Sequence, residues 1–280
     1  MHHLRTAAVA IAFAAMLCCP GLSNVLIVLS DADHLDLKDG KVYPTGFYLN
    51  ELTQPLKLLL DVLATRLLSP RRRDASAVDK NSLDPMYFNG DAALMQQYQA
   101  LADKLNITSR TASPVLSLAR VEQIGYEHYD AVYIPGGHAP MQDLIRSAEL
   151  GRLLTSFHAR GKTTALVCHG PAALLSALPE PVAAVGRMEQ GKKPGQRGWI
   201  YAYYKMTVIS NQEEAQAKSA LGGGTMKLLP QTGLELAGGA YSSNSAPWTA
   251  HVVTDRELIT GQNPASALQV GQALLARLQK

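Results

Sequence analysis

The chain has 280 residues, 47% of them hydrophobic and 18% charged, with a formal net charge of +3. These proportions suit a globular protein with a sizeable core and exclude disordered or fibrous chains. Charge is spread thinly, with Arg71-Arg72-Arg73 as a basic run in a loop, so the one-sided field that nucleic-acid binding needs is missing and no such partner is expected.

Residues 1–23 open with Met1-His2-His3-Leu4-Arg5 and continue into an uncharged apolar run from Thr6 to Leu17, the pattern of a secretory signal peptide. That run is short for a membrane span, and no other segment approaches the ~20 apolar residues a span requires. The expectation is a soluble, exported protein, periplasmic or secreted, cleaved near Ser23 and without stable membrane insertion after processing; Cys18 and Cys19 match a lipid-attachment site less well. Of the three cysteines only Cys168 would then remain, with no partner for an intramolecular disulfide.

The fold is expected to run from residue 24 to 280 as one α/β domain with a small inserted lid. Asn24 to Leu29 is an apolar, branched run ending at Ser30-Asp31, which reads as a central strand of a parallel sheet. Phe47, Leu49, Leu52, Leu56, Leu59, Leu60 and Leu63 then recur at helical spacing, with Pro55 expected to kink or interrupt the helix. Residues 64–91 look irregular, and a second helix is expected from Asp91 to Leu105. From Tyr129 the alternation becomes regular, with strands at Ala131–Ile134 and Thr163–Val167 and helices at Met141–Arg160 and Gly170–Ala177. Further strands are expected at Val182–Val185 and Met206–Ile209, and a helix at Gln212–Leu221. Gly186–Gly198 and Gly222-Gly223-Gly224 read as loops, His251–Thr254 and Leu258–Thr260 as strands flanking a tight turn, and Asn263-Pro264 opens a C-terminal helix.

Thr163-Thr-Ala-Leu-Val-Cys168-His169-Gly170-Pro171 takes an apolar strand into a cysteine and, through a glycine, into a helix. This is a nucleophile-elbow pattern. The turn would lift the side chain to the top of the sheet, where a helix N-terminus lowers a thiol pKa and free N–H groups hold an oxyanion; Gly170 lets the turn be tight. Pro135-Gly136-Gly137-His138 follows the preceding strand in the same manner, so its backbone would face Cys168, with the N–H groups of Gly137 and His169 as oxyanion donors. Glu51 lies one to two turns into the first helix. The histidines lack the short spacing of metal sites, so no metal is expected. Trp248 after Pro247 is read as lining the pocket or the core.

Tyr43-Pro-Thr-Gly-Phe-Tyr-Leu-Asn-Glu51-Leu, Pro135-Gly-Gly-His138, Val167-Cys-His-Gly-Pro171, Pro247-Trp248 and Leu258-Ile-Thr-Gly-Gln-Asn-Pro-Ala-Ser266 together resemble the PfpI-like, or class I glutamine-amidotransferase-like, superfamily. Within it the chain is most similar to the branch of glutathione-independent glyoxalases and heat-shock-type holding chaperones. The resemblance implies a flavodoxin-like three-layer sandwich with a mostly parallel sheet. It also implies Cys168 as nucleophile, His169 beside it, Glu51 facing the sulfur, and a later carboxylate completing a triad, for which Glu214 fits better than Glu213. The expected chemistry is conversion of a small α-oxoaldehyde to a 2-hydroxy acid without a cofactor; a cysteine hydrolase and a stress-binding protein are the alternatives. A homodimer is common in that superfamily.

Overall fold

The computed structural model describes residues 23–60, 64–69, 76–109, 111–196 and 198–280, with side chains left undescribed across 61–75. Nearly all of the expected signal segment, residues 1–22, lies outside these. Among the described residues, no helix is long and apolar enough to cross a membrane.

A seven-stranded sheet carries the fold: β1 (Asn24–Val28), β2 (Ala64–Ser69), β3 (Leu116–Ser117), β4 (Ala131–Ile134), β5 (Thr163–Val167), β6 (Val252–Asp255) and β7 (Leu258–Gly261). Its spatial order is β6-β7-β5-β4-β1-β2-β3, parallel throughout except for the antiparallel β6/β7 hairpin. The apolar runs of β4, β5 and β7 are buried along their whole length, as strands covered on both faces must be. Among the described residues, eight α-helices accompany the sheet: α1 (Leu49–Leu60), α2 (Ala92–Lys104), α3 (Leu118–Ile124), α4 (Ala148–Ala159), α5 (Pro181–Met188), α6 (Asn211–Gln216), α7 (Pro230–Ala237) and α8 (Ala267–Leu278). α1 packs on α8 and α2, while α4 packs on α3 and on the 3₁₀ segment Gly170–Ala177, giving a three-layer sandwich.

The chain moves outward from β1 to β2 and β3, then returns to β4 on β1's other side. Strand ends at such a reversal leave a crevice, the usual ligand position in open parallel sheets. α1 follows β1 after a short ribbon, Gly136 follows β4 and Cys168 follows β5, so all three arrive at one end of the sheet.

Several local expectations change. Ala64–Ser69 is a sheet strand paired in register with Asn24–Val28, although its flanking proline and arginines read as irregular chain. The rest of that insertion, 76–91, carries two 3₁₀ turns and is tied to the start of α1, where Ser82 Oγ accepts the Leu49 N–H at 3.0 Å. Pro181–Met188 is helical rather than a strand at 182–185, because Pro181 sits in the first turn and Ala184, Val185 and Met188 supply a helical buried face. Strand pairing near 206 is confined to Lys205–Met206, and the expected helix at 141–160 is two short 3₁₀ turns followed by α4.

α1 also runs unbroken through Pro55. Proline has no N–H, so the carbonyl four residues earlier, that of Glu51, loses its helical donor. The Tyr133 hydroxyl, reaching over from β4, donates to that carbonyl instead.

Candidate active site

Cys168, the first residue after β5, lies in the left-handed region, at φ 60°, a conformation that residues with a β-carbon seldom adopt. Its backbone is fixed on both sides: the N–H donates to the Gly261 carbonyl at 2.9 Å, and the carbonyl accepts the Ile209 N–H at 3.0 Å. The elbow is therefore over-determined by β7 and by the segment before α6. The side chain is 2% exposed.

Two proton acceptors meet this sulfur. Glu51, in the first turn of α1 and wholly buried, accepts the Gly136 N–H on Oε2 at 2.7 Å, lies beside the thiol, and leaves Oε1 without a hydrogen-bond partner. Burial raises its carboxyl to about 7, with the neighbouring Cys168 thiol, the His169 charge and the Gly136 N–H opposing the rise. His169 places Nδ1 3.3 Å from Sγ and Nε2 2.6 Å from Glu214 Oε1. Burial pushes Glu214 upward, but the charge and hydrogen bond of His169 outweigh it and hold the carboxyl below the usual range.

The thiol departs from expectation. Its pKa lies well above the ordinary cysteine value, raised first by burial and then by the Glu51, Glu214 and Glu213 carboxylates. A helix N-terminus was expected to lower it, but the segment after Cys168 is a 3₁₀ run, and lost solvation among carboxylates dominates. The resting state is a protonated, buried thiol with a base on each side.

Glu213 and Glu214 divide cleanly. Glu213 closes a capping box with Ser210 and accepts from Gln262, Asn263 and the Trp248 N–H, so it is a structural hub rather than a partner of His169. Trp248 is 41% exposed, and its indole N–H goes to Gln216 Oε1 at 2.6 Å, which puts the ring at the rim rather than in the core.

The glycines allow close approach of main chains. A β-carbon at Gly136 would lie 2.7 Å from the His169 nitrogen and 2.8 Å from Glu51 Oε2, and Gly137 sits at φ 80° with the Gly46 carbonyl where a β-carbon would go. Gly170 packs against the Ile134 carbonyl. Among the described residues, the N–H groups of Gly137 and His169 make no hydrogen bond to protein.

His138 is brought to the same place, its ring centroid 4.2 Å from that of His169, with Tyr43 edge-on at 5.3 Å. It is buried, and neither ring nitrogen has a protein partner. Burial and the His169 charge push its pKa down to about 3, so the imidazole is neutral. One donor atom each from His138, His169 and Glu214 lie within 4.8 Å of one another, a grouping that sequence spacing did not reveal. At 2.6 Å, however, His169 Nε2 and Glu214 Oε1 stand closer than the ~3.3 Å between two ligands of a tetrahedral zinc ion, and as they stand they make a close ion pair with each other.

The site is closed. A cavity of about 760 Å³ lies between Asp31–His34, Ser76–Val78 and α2 and is lined by none of these side chains. Sequence reasoning missed Tyr133 and the hub role of Glu213; a tyrosine in an otherwise aliphatic strand, and a proline four residues after Glu51, were the signals available for the first.

Residues 91–178 match the DJ-1/PfpI family. The chain is 33% identical over 159 residues to the glutamine amidotransferase-like class 1 domain-containing protein 1 of Bos taurus, a match covering 57% of this chain and 64% of that protein's length. It is 23% identical over 274 residues to the protein/nucleic acid deglycase HchA of Staphylococcus aureus, covering 90% of this chain and 78% of the relative. In structure it resembles glyoxalase III from Candida albicans, with a TM-score of 0.65 at 22% identity, covering 91% of this chain and 97% of the other, a likeness of fold.

Proposed function

We propose that the chain is a PfpI-like, class I glutamine-amidotransferase-like protein and, within that superfamily, a glutathione-independent glyoxalase-type enzyme acting on small α-oxoaldehydes such as methylglyoxal. One observation carries the reading: the buried Cys168 thiol has the Glu51 carboxyl beside it on one side and, 3.3 Å from the sulfur on the other, His169 Nδ1, itself paired with Glu214. Two proton-transfer groups on one nucleophile suit a reaction that must first take a proton from sulfur and then move another between adjacent carbons.

The Cys168 thiol passes its proton to Glu51 as sulfur bonds to the aldehyde carbon, giving a hemithioacetal oxyanion. The unengaged N–H groups of Gly137 and His169 hold that oxygen. His169, steadied by Glu214, removes the hydrogen from the former aldehyde carbon, and the electron pair forms an enediol with the neighbouring carbonyl. Protonation at the neighbouring carbon leaves a thioester of a 2-hydroxy acid, which water cleaves to release the acid and the thiol. One carbon loses two electrons and its neighbour gains them, so the balance needs no external oxidant. The neutral His138 imidazole, with both nitrogens unpartnered, is placed to meet a second substrate oxygen.

The test is lactate formation from methylglyoxal without glutathione, run beside Cys168→Ala and Glu51→Gln. Turnover lost in both variants supports the assignment. A wild-type protein with reduced Cys168 and no turnover overturns it in favour of the cysteine-hydrolase alternative, in which the same elbow forms an acyl-thioester. Export of the mature protein is part of the proposal and is tested by cell fractionation with N-terminal sequencing.

A further inference from the structure

We propose that Tyr133 is a positioning residue for Glu51: by supplying the hydrogen bond that Pro55 removes from α1, it fixes where the Glu51 carboxyl meets the Cys168 thiol. The inference rests on the reading of Cys168 and Glu51 as the reacting pair.

The argument starts from the helix. Pro55 deprives the Glu51 carbonyl of its N–H donor at the one turn of α1 that carries the acid. Both Glu51 and Tyr133 are wholly buried, so water cannot make good the loss, and an unpaired buried carbonyl would favour local unwinding. The Tyr133 hydroxyl donates to that oxygen. Its own ionisation is pushed far out of reach, by burial first and then by Glu51 and Cys168, so it remains a donor at every working pH.

The same strand holds the other end of the residue. Three positions after Tyr133, just past the end of β4, the Gly136 N–H donates to Glu51 Oε2 at 2.7 Å. Main chain and side chain of Glu51 are thus clamped to one rigid stretch, 133–136, whose neighbour β5 leads directly into Cys168. A helix closed by its own N–H would be tied only to itself; with proline at 55, the acid's register is referred to the strand beside the nucleophile.

The arrangement has its own rescue. Tyr133→Phe removes the donor and keeps the ring, while Pro55→Ala restores an N–H aimed at the same carbonyl. The measurement is Cys168 carbamidomethylation by iodoacetamide against pH in the full chain, read by mass spectrometry on the Cys168 peptide so that Cys18 and Cys19 do not contribute, with melting temperature alongside. In Tyr133→Phe, an acid less firmly held against the sulfur opposes ionisation less. The alkylation midpoint should therefore move down by about one pH unit, while aldehyde turnover falls about tenfold. In the double variant Tyr133→Phe/Pro55→Ala both should return to within about twofold of wild type.

An unchanged alkylation profile in Tyr133→Phe overturns the proposal. So does a double variant that recovers its melting temperature but not the profile, which would make the hydroxyl a packing contact alone. If Tyr133→Phe fails to fold, the double variant decides, since recovery of both fold and profile is the expected result. Because alkylation reports on Cys168 and Glu51 whatever the substrate, a protein without aldehyde turnover that still shows the shift and its rescue would overturn the proposed reaction and leave the positioning role standing.

Discussion

Glu213 and Glu214 are adjacent in the first turn of α6, yet Glu214 Oε1 lies 2.6 Å from His169 Nε2 while Glu213 faces away into a ring of donors from Ser210, Gln262, Asn263 and Trp248. Helical geometry turns successive side chains by about 100°, so two neighbouring acids at a helix start can serve separate surroundings. Replacing each by glutamine should separate the roles. Glu213→Gln is expected to cost about 2–4 kcal/mol of stability, since a buried charged acceptor with several donors is lost. Glu214→Gln is expected to leave melting nearly unchanged and lower turnover about 10²-fold. Denaturant melts and steady-state rates on both variants decide it.

The pH dependence follows from Glu51. With its carboxyl near 7, turnover should show an acid limb centred there, because a protonated Glu51 cannot receive the thiol proton. Glu51→Gln should lose that limb together with most of the rate. A limb that persists in the glutamine variant would assign it to another group.

Stability should carry the opposite trend over the same window. The folded carboxyl keeps its proton up to about 7, whereas the unfolded one releases it near 4.5, so between those values the unfolded state binds fewer protons and folding weakens as pH rises. The full swing is ~3 kcal/mol for a shift of this size. Comparing melts at pH 5 and pH 8 for wild type and Glu51→Gln should show a smaller loss in the variant.

Gly136→Ala places a methyl against the His169 nitrogen and Glu51 Oε2, both within the candidate site. We expect turnover to fall by more than 10²-fold with Cys168 alkylation altered as well. Gly137→Ala meets the Gly46 carbonyl at a left-handed φ, and its expected effect is on folding, by about 3 kcal/mol or more. Thermal melting distinguishes the two.

The legible part of this protein is the part written in short, local patterns. The apolar runs at 24–28, 131–134 and 163–167 announce buried strands, and Val-Cys168-His-Gly-Pro announces a strand-to-helix elbow, because in each the side-chain pattern and the backbone requirement coincide. β2 was hidden because its arginine and polar residues read as loop, although the backbone pairs fully with β1. α1 was expected to falter at Pro55 because helix propensity sees only the chain itself, while the missing donor comes from a tyrosine 78 positions away from the proline. The thiol's ionisation was misjudged for a related reason: a motif shows which dipoles are near, but not how many carboxylates the fold gathers or how completely it excludes water.

The near-complete burial of Cys168 has a consequence for the protein's durability. Thiol–disulfide exchange needs the attacking and central sulfurs in line, which demands room for a whole incoming disulfide such as oxidised glutathione. The closed packing around the sulfur leaves no such room. Burial thus shields the thiol from mixed-disulfide capture by bulky oxidants, even where the surroundings are oxidising, without any chemical protecting group.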